Sequence, residues 1–397
     1  MHHWFQSKRV YLDSAAGERP TAQATRAFLS AHQAYGNPSS PHTEGREARG
    51  HLESSRMTIA RLAEVKPEGV IFTANATEAN NLLILGHVEA LHRSGRAYAD
   101  MHALSLPSSH ASVTEPMKEL ARRGVCIEEV SVLGGHLNLE KLAAQLRDTT
   151  VLIVLDAVCG ETGIRFPVRD VRRVLLRRYA TASQTPLLHV DAVQLPSVGP
   201  YELTRLGADS LSLDAQKVGG VRGIGALILA HTTPLSAQIV GGSQERGLRA
   251  GTQTPALAHA FATALTDTHT AREAFLTHAQ QLRAVLVEGC ADVKDVIIHE
   301  GKEQAPHIVN LSLLGRDTDY LVALLDTAGF AVSTKSACES DKEGSRAILS
   351  YTGDVAQAAS TLRVSWSREV SLGDMRRFVR ALRTAVKFLD SAGILDS

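Results

Sequence analysis

Short apolar runs alternate with helix-like stretches between residues 70 and 229, and this alternation restricts the fold more than any other feature of the chain. The predicted strands occupy residues 70–73, 101–106, 125–130, 151–155, 187–190, 210–213 and 226–229. Helical periodicity predicts helices over 22–35, 43–63, 112–123, 139–146 and 168–179, and segment 74–81 opens a further helix that runs to about residue 92. This order is typical of an α/β domain built on a largely parallel sheet, in which ligands gather at the carboxyl ends of the strands.

The rest of the chain predicts a second, smaller unit. A long helix from 255 to about 288 is followed by a strand at 308–313, a helix at 319–328, a strand at 331–333 and a helix at 373–389. We therefore expect a large α/β domain over residues 16–272 and a small α+β domain formed by residues 1–15 and 273–397.

The charges of the chain balance, with 42 lysines and arginines against 42 aspartates and glutamates among 397 residues. No overall field therefore draws it to nucleic acid or to an anionic membrane. The four cysteines form no Cys-x-x-Cys pair, which argues against a disulfide framework and a zinc site. The scattered cysteines suit a reducing cytosol, and no signal peptide or apolar run of membrane length is recognised, so we expect a cytoplasmic protein. The 17 histidines lack the i, i+4 spacing of a metal helix, so we expect no bound metal.

Lys217 lies in a glycine-rich loop between two predicted strands, 210–213 and 226–229. Glycines in this loop let the backbone turn tightly beside a bulky group. Partial desolvation lowers the pKa of a lysine in such a place and frees its amine as a nucleophile toward an aldehyde. The alternative is a solvated lysine in an ordinary turn.

Three polar residues follow predicted strands, where a parallel sheet binds its ligands. Asp191 comes directly after the apolar run 187–190, and a carboxylate at a nearly buried strand end needs a cationic partner. That partner is a protonated pyridine nitrogen if a cofactor binds here, and otherwise an arginine or a helix cap. His110 either stacks on a flat aromatic ligand or is simply exposed. Gln194 follows Asp191 closely and belongs to the same edge of the sheet.

Two segments are suited to binding anions. The turn 74–81 leads from a strand into a helix, where backbone N–H groups hold a phosphate and Thr77 adds a hydroxyl. Alternatively, Thr77 is only the N-cap of that helix. The glycine-rich segment 240–252 carries two arginines and Thr252, and it is the second candidate.

Two further residues are candidates for binding a carboxylate. Asn37 lies in the proline-containing loop 36–42, where its amide either meets a carboxylate or caps the helix that begins near Thr43. Arg363 lies inside an apolar strand and needs a carboxylate partner, which is either the substrate or an internal acid.

Cys338 is the best candidate for chemistry among the four cysteines. It lies in the polar segment 332–345, whose lack of hydrophobic periodicity predicts an exposed, mobile loop. Lys335 and Lys342 flank it, and nearby cations favour the reactive thiolate. Of the others, Cys126 and Cys290 are better suited to packing.

Taken in order, these motifs resemble those of cysteine desulfurases of the NifS and IscS type, in the class V group of fold-type I pyridoxal-phosphate enzymes. The resemblance extends over nearly the whole chain and rests on Tyr11-Leu12-Asp13, Gly36-Asn37-Pro38-Ser39-Ser40, Ala76-Thr77-Glu78-Ala79-Asn80-Asn81, Glu161-Thr162-Gly163, His189-Val190-Asp191-Ala192-Val193-Gln194, Lys217 with segment 223–227, segment 244–252, and Ser336-Ala337-Cys338. It implies a fold-type I architecture and pyridoxal 5'-phosphate as the cofactor.

The resemblance also implies a role for each candidate residue. Lys217 would bond to the cofactor aldehyde, Asp191 would pair with the pyridine nitrogen, Gln194 would hydrogen-bond the phenolic oxygen and His110 would stack on the ring. The phosphate would be held by Ala76, Thr77 and Thr252 of the partner subunit, with Gln216 at a position that reaches it. Asn37 and Arg363 would hold the substrate carboxylate.

The implied reaction removes sulfur from L-cysteine and releases L-alanine. Lys217 would move the α-proton of the substrate, and the Cys338 thiolate would take the sulfur as a persulfide. The sulfur would then pass to an acceptor, such as an iron-sulfur scaffold or a tRNA-thiolation protein. A homodimer is implied as well, because Thr252 crosses between subunits in the family.

Several positions depart from the family pattern. Asp214 and Gln216 replace the serine and histidine that contact the phosphate, and Cys159-Gly160 replaces two asparagines. A carboxylate repels a neighbouring phosphate unless it turns away, is protonated or is paired, for instance with Arg222 or Arg249. Two further interpretations therefore stay open: a cofactor-poor paralogue that acts as a binding or regulatory subunit, and a class V lyase or transaminase that acts on another amino acid.

Overall fold

The computed structural model describes residues 9–179, 185–231, 233–334 and 344–392. Its strands are β1 (Val10–Tyr11), β2 (Val70–Thr73), β3 (His102–Ser105), β4 (Cys126–Glu129), β5 (Val132–Leu133), β6 (His136–Leu137), β7 (Thr150–Asp156), β8 (Leu187–Asp191), β9 (Ser210–Asp214), β10 (Gly225–Leu229), β11 (Val296–His299), β12 (Ile308–Leu313), β13 (Phe330–Ala331) and β14 (Thr361–Ser365). Its α-helices are α1 (Ala22–His32), α2 (Thr43–Ala63), α3 (Ala76–Arg93), α4 (Ala111–Arg122), α5 (Leu139–Gln145), α6 (Val168–Arg178), α7 (Leu203–Leu206), α8 (Pro255–Cys290), α9 (Thr318–Thr327), α10 (Arg346–Thr352), α11 (Val355–Ala359) and α12 (Leu372–Ala392). Short 3-10 turns lie at Pro67–Gly69, Tyr98–Asp100, Ala215–Lys217 and Gln244–Gly247.

Seven strands form the central sheet, in the order β2-β10-β9-β8-β7-β3-β4. All neighbours from β9 to β4 are parallel, whereas β10 is antiparallel to both β9 and β2. Every residue of β7 is buried, as expected for a parallel strand covered on both faces. Each fully buried Leu, Ile or Val contributes roughly 1.5–3 kcal/mol to the core. The predicted α/β fold with a mostly parallel sheet is confirmed.

Helices pack against one another and against this sheet. α1 and α2 pack against α8, and α3 packs against α4. The predicted extension of α1 to residue 35 is wrong, because Gln33 is already its C-cap. None of the helices in the described ranges is both long and apolar enough to cross a bilayer.

The C-terminal part of the chain contains an antiparallel sheet in the order β11-β12-β14, with α12 packed against α8 and α9. β1 pairs in parallel with β13, so the described N-terminal strand joins this part. The expected domain boundary at residue 272 falls inside α8, which makes that helix the continuous connection between the two sheets. Periodicity does not predict α10 or α11, since seven and five residues are too short for a helical period to stand out.

Candidate active site

A pocket of about 270 Å³ opens at the carboxyl ends of β3, β7, β8 and β9. The first turn of α3 and the strand β14 complete its wall. Residues that are far apart in the sequence share this cavity, and those among the predicted site residues are Lys217, Asp191, Gln194, His110, Ala76, Thr77, Gln216 and Arg363.

Lys217 extends from the 3-10 turn after β9 into this pocket. Its Nζ donates hydrogen bonds to the carbonyl oxygens of Ala15, at 2.5 Å, and Ala16, at 2.9 Å. Burial lowers the pKa of Lys217, and the Arg363 guanidinium lowers it further. The amine is therefore neutral more often than that of an exposed lysine, as a nucleophile toward an aldehyde must be.

The glycines after Lys217 are required by the backbone. Gly219 has a φ of 71°, which is unfavourable for residues with a Cβ. A Cβ at Gly220 would lie 2.8 Å from the Ala215 carbonyl oxygen, so a larger residue would push the turn apart. The loop thus positions the lysine because glycine occupies both places.

Asp191 ends β8 and is held by two donors. Its Oδ1 accepts the Val193 N–H at 3.1 Å, and its Oδ2 accepts the Asn80 Nδ2 at 2.9 Å. The sequence left open an arginine or a helix cap as the partner of Asp191. In the described ranges its partners are instead these two N–H donors. The carboxylate is 8% exposed and is therefore fixed at the wall of the pocket.

Asn80, which orients Asp191, is itself fully buried. Its amide nitrogen faces Asp191, so its Oδ1 faces the Nε2 of His189, at 3.0 Å. Burial lowers the pKa of His189 to about 3, which makes the ring neutral. The imidazole must then donate from Nε2 to the Asn80 oxygen. Asn80 is a positioning residue that the sequence did not single out.

His110 and Gln194 are each fixed by a local contact. His110 is the N-cap of α4, where its Nδ1 accepts the Ser112 N–H at 3.1 Å, and its side chain is exposed at the pocket. Gln194 donates from Nε2 to the Ala15 carbonyl at 2.9 Å, the same oxygen that Lys217 contacts. Both side chains therefore border the space in front of the lysine amine.

Arg363 lies in β14 and is only 4% exposed. It donates from NH2 to the Asp13 carboxylate at 2.8 Å and from NH1 to the Gly160 carbonyl at 3.0 Å. Of the two partners expected for this arginine, the internal acid is present. The Arg363 Nε is buried without a partner in the described part of the chain. An unpaired buried N–H is costly, so this donor is suited to a further acceptor.

Asp214 turns toward the start of α3. Its Oδ2 accepts the Ala76 N–H at 3.0 Å, and its Oδ1 accepts the Gln216 N–H at 3.1 Å. Burial raises the pKa of Asp214, although these two backbone bonds act in the opposite direction. The carboxylate thus uses a backbone donor that was expected to hold the phosphate.

The first turn of α3 is capped differently from the prediction. Asn75 is its N-cap, and the Asn75 Oδ1 accepts the Glu78 N–H at 2.9 Å. The interpretation of Thr77 as the cap is therefore wrong, and the exposed Thr77 side chain borders the pocket instead. Arg249 forms a salt bridge to Glu78 at 2.8 Å rather than to Asp214. Arg222 is exposed and does not line the pocket.

Two predicted site residues in the described part of the chain, Asn37 and Thr252, do not line the pocket. Asn37 is exposed, and its Oδ1 accepts the Ser39 N–H at 2.9 Å. It does not cap α2, whose N-cap is His42. Thr252 borders a separate cavity of about 180 Å³. Cys338 lies outside the described residues.

Asp156 and Cys159 also line the pocket. Asp156 ends β7 beside Asp191 and accepts a hydrogen bond from the Ser109 hydroxyl at 2.9 Å. Burial and the neighbouring Asp191 raise the pKa of Asp156. The sequence carried a signal for this residue, because it follows the apolar run 151–155 as Asp191 follows its own strand. Burial raises the pKa of Cys159, which keeps it a neutral thiol.

One group of possible metal ligands lies on β3 and β4, outside the pocket. His102, Cys126 and Glu128 have ligand atoms within 4.8 Å of one another. Arg147 forms a salt bridge to Glu128 and lies 3.4 Å from the Cys126 Sγ. The Arg147 guanidinium thus already lies where a metal ion would offset the negative charge of Glu128.

Comparison with known proteins identifies the family. A family model described as aminotransferase class-V matches residues 10–378. The chain belongs to the aminotransferase class-V family. This class V chain is 31% identical to a selenocysteine lyase of Xenopus laevis, over 96% of this chain and 95% of the relative. It is 31% identical to the cysteine desulfurase IscS of Neisseria meningitidis serogroup C (strain 053442), over 90% of this chain and 87% of the relative.

A solved structure of a NifS-like protein has the same fold as this class V chain. The two superpose with a TM-score of 0.88 at 28% identity, over 96% of this chain and 100% of the other. The predicted resemblance to the NifS and IscS group and the predicted fold-type I architecture are confirmed.

Class V enzymes of this group depend on pyridoxal phosphate, and the pocket fits the aldehyde and ring of that cofactor. Lys217 has a desolvated amine that would suit an aldehyde, and Asp191 has a fixed carboxylate that would suit a protonated ring nitrogen. The phosphate end differs, because the Asp214 carboxylate already accepts the Ala76 N–H. The site is therefore preorganised for the pyridine aldehyde and less so for its phosphate.

Proposed function

We propose that this class V enzyme is a cysteine desulfurase, which uses pyridoxal phosphate to remove sulfur from L-cysteine and releases L-alanine. The observation that carries the proposal is a single pocket containing Lys217, Asp191 and Arg363, in which the lysine amine is desolvated. Relatives named cysteine desulfurase and selenocysteine lyase support the same class of reaction.

Lys217 and Asp191 have different roles in the proposed reaction. When bound, the cofactor supplies an electron sink for bond breaking at the substrate α-carbon. Lys217 moves the α-proton, because burial leaves its amine neutral more often than in an exposed lysine. Asp191 places its carboxylate at the pocket wall, where Asn80 and the Val193 N–H hold it in one orientation.

Arg363 binds the substrate carboxylate in this proposal. Asp13 and the Gly160 carbonyl fix its guanidinium at the pocket wall, and an arginine suits a carboxylate ligand. Asn37, on the exposed loop 36–42, is proposed as a second group for the same carboxylate. Thr252 of the partner subunit is proposed as a further phosphate ligand, which requires a homodimer.

Cys338 receives the sulfur. Its thiolate attacks the substrate sulfur, so a sulfur–sulfur bond forms while the carbon–sulfur bond of L-cysteine breaks and the β-carbon gains a proton. One L-cysteine and one thiol thereby give one L-alanine and one persulfide, without an external oxidant or reductant. The persulfide then passes its sulfur to a cytoplasmic acceptor, such as an iron-sulfur scaffold or a tRNA-thiolation protein.

Product analysis with purified protein, pyridoxal phosphate and L-cysteine tests the proposal. We expect L-alanine as the product and one additional sulfur atom on the peptide that contains Cys338. Cys338→Ala should abolish sulfide release in the presence of a thiol reductant. Cys126→Ser is the matched control, because Cys126 lies on β4 outside the pocket, and it should keep the activity. Absence of L-alanine at saturating cofactor would contradict the proposal.

Two observations favour second candidates. The selenocysteine lyase relative is as similar to this chain as the desulfurase, so L-selenocysteine is a second candidate substrate, and the ratio of kcat/KM for the two amino acids decides between them. The contact between Asp214 and the Ala76 N–H favours a cofactor-poor binding or regulatory subunit. A colourless protein that does not respond to added cofactor would establish that role.

The third alternative is a class V lyase or transaminase that acts on another amino acid. Activity on another amino acid that survives Cys338→Ala would indicate such an enzyme.

A further inference from the structure

The start of α3 is an anion-binding position that the protein fills with its own carboxylate. The backbone N–H groups at the start of a helix of 18 residues favour negative charge. Here the Ala76 N–H donates to Asp214, and Asp214 is only 6% exposed. Its second oxygen accepts the Gln216 N–H, which keeps the whole carboxylate directed at backbone donors.

Two further N–H groups of this turn are also occupied. The Glu78 N–H donates to the Asn75 side chain at 2.9 Å, and the Ala74 N–H donates to the Glu78 carboxylate at 2.8 Å. Two carboxylates, Asp214 and Glu78, therefore already accept backbone donors at the start of α3. A bound phosphate would have to share or displace these acceptors.

Two arginines near the site are engaged elsewhere. Arg249 forms a salt bridge to Glu78 at 2.8 Å, and Arg363 forms one to Asp13, also at 2.8 Å. Lys217 is directed at two carbonyl oxygens and is the residue that meets the aldehyde. In the described part of the chain, no salt bridge joins Asp214 to an arginine.

We propose that Asp214 is a built-in occupant of the phosphate position, so that the pocket binds pyridoxal, the same aldehyde without phosphate, nearly as well as pyridoxal phosphate. A phosphate group brings about 1.5 to 2 negative charges at neutral pH, and a carboxylate in contact with it opposes binding. The ring and aldehyde meet no such opposition at Lys217 and Asp191. The inference rests on the proposed function only in requiring an aldehyde cofactor at Lys217.

The ratio of two dissociation constants measures this directly. Both dissociation constants are read from the visible absorption band. The ratio is the dissociation constant of pyridoxal divided by that of pyridoxal phosphate, so a higher ratio means a stronger preference for the phosphate form. Because both aldehydes react with the same amine, the contribution of Lys217 cancels in this ratio. For the wild type we expect a ratio within roughly tenfold of unity. Asp214→Ser, which removes the carboxylate and frees the Ala76 N–H, should raise the preference for the phosphate form by roughly tenfold or more, as removal of a like charge does.

Two further variants make the test sharp. Asp214→Asn keeps an oxygen acceptor for Ala76 while removing the charge, so it should raise the ratio in the same direction and serves if the serine variant folds poorly. Asp317→Ser is the matched control, because Asp317 accepts a backbone N–H at the start of α9 in the same way but does not line the pocket. If neither Asp214 variant changes the ratio more than this control does, the proposal is overturned.

Inorganic phosphate gives a readout that is independent of the aldehyde. With the cofactor removed, phosphate should raise the Tm of Asp214→Ser more than that of the wild type, because only the variant has a free anion position. Equal shifts in the two proteins would overturn the inference. A protein with the expected ratios and phosphate response but no desulfurase activity would refute the proposed function alone.

Discussion

Arg363 in β14 donates a hydrogen bond to the carboxylate of Asp13, 350 positions earlier in the chain, at a distance of 2.8 Å. The pair connects the beginning of the described chain to the wall of the pocket. It also fixes the arginine that we propose as the ligand of the substrate carboxylate. Several expected outcomes depend on buried polar contacts of this kind.

Asp13→Ala should lower the free energy of unfolding by about 2–3 kcal/mol, because it leaves the Arg363 charge buried without its acid. The Arg363 side chain is 5% exposed and that of Asp13 is 20% exposed, so solvent replaces the lost carboxylate poorly. Urea unfolding measures the change. Asp326→Ala is the control, since Asp326 pairs with Arg9 where both side chains are 57% exposed, and it should cost much less. An equal loss of unfolding free energy in the two variants would refute the assignment of Asp13 as the buried partner of Arg363.

Asn80→Ala should lower the free energy of unfolding by about 2–4 kcal/mol, because Asp191 and His189 both lose a buried partner. It should also weaken cofactor binding, since the Asp191 carboxylate loses one of its two donors. Asn81→Ala is the matched control, because the Asn81 amide bonds only to the Thr77 carbonyl of its own helix. A stability loss without any change in the visible spectrum of the holoenzyme would contradict the positioning role.

The amine of Lys217 should react with pyridoxal with a midpoint below pH 10.5, the ordinary pKa of a lysine. Burial disfavours the charged ammonium, so the reactive neutral amine appears at lower pH than in an exposed side chain. The measurement is the rate of formation of the visible band as a function of pH, with Lys217→Arg as the variant that must lose it. A midpoint at or above 10.5 would contradict the desolvation of this amine.

Glu245→Gln should destabilise the protein by about 3 kcal/mol at neutral pH. Glu245 is buried and accepts two hydrogen bonds from Arg56, each at 2.8 Å. Burial alone would raise the pKa of Glu245, but the Arg56 guanidinium outweighs it and the pKa is lowered. The stabilisation is therefore present above 4.5, the ordinary value, and is lost as the pH falls through the lowered folded-state pKa.

The difference between wild type and Glu245→Gln in urea unfolding should thus shrink below pH 4.5. Glu115→Gln removes an exposed pair with Lys118 and should change stability little at any pH. A difference that grows on acidification would show that the Arg56 pair does not hold the Glu245 charge.

Local patterns were sufficient to predict most of the large sheet. The buried strand β7 appears as an uninterrupted apolar run, and β8 as an apolar run broken only by His189; the acid that follows each run marks its carboxyl end. The edge of the sheet that bears Lys217 and Asp191 could therefore be predicted before any contact was known. Short elements such as α10 and α11 contain too few residues for their periodicity to be recognised.

Contacts between distant segments could not be predicted in the same way. The direction of the Asp214 side chain depends on how the start of α3 meets the end of β9, and the partner of Arg363 depends on where the N-terminal strand joins the C-terminal part. Asn80 looks in sequence like any polar helix residue until β8 places Asp191 beside it. These are properties of packing, and no local pattern encodes them.

The most direct measurement is to locate the covalent attachment of pyridoxal phosphate. The cofactor is added to the purified protein, the bond to the amine is reduced with borohydride, and the modified peptide is identified by mass spectrometry. We predict a single adduct, on Lys217, that is absent in Lys217→Ala. An adduct at another lysine, or none at saturating cofactor, would contradict the assignment of this pocket as the active site.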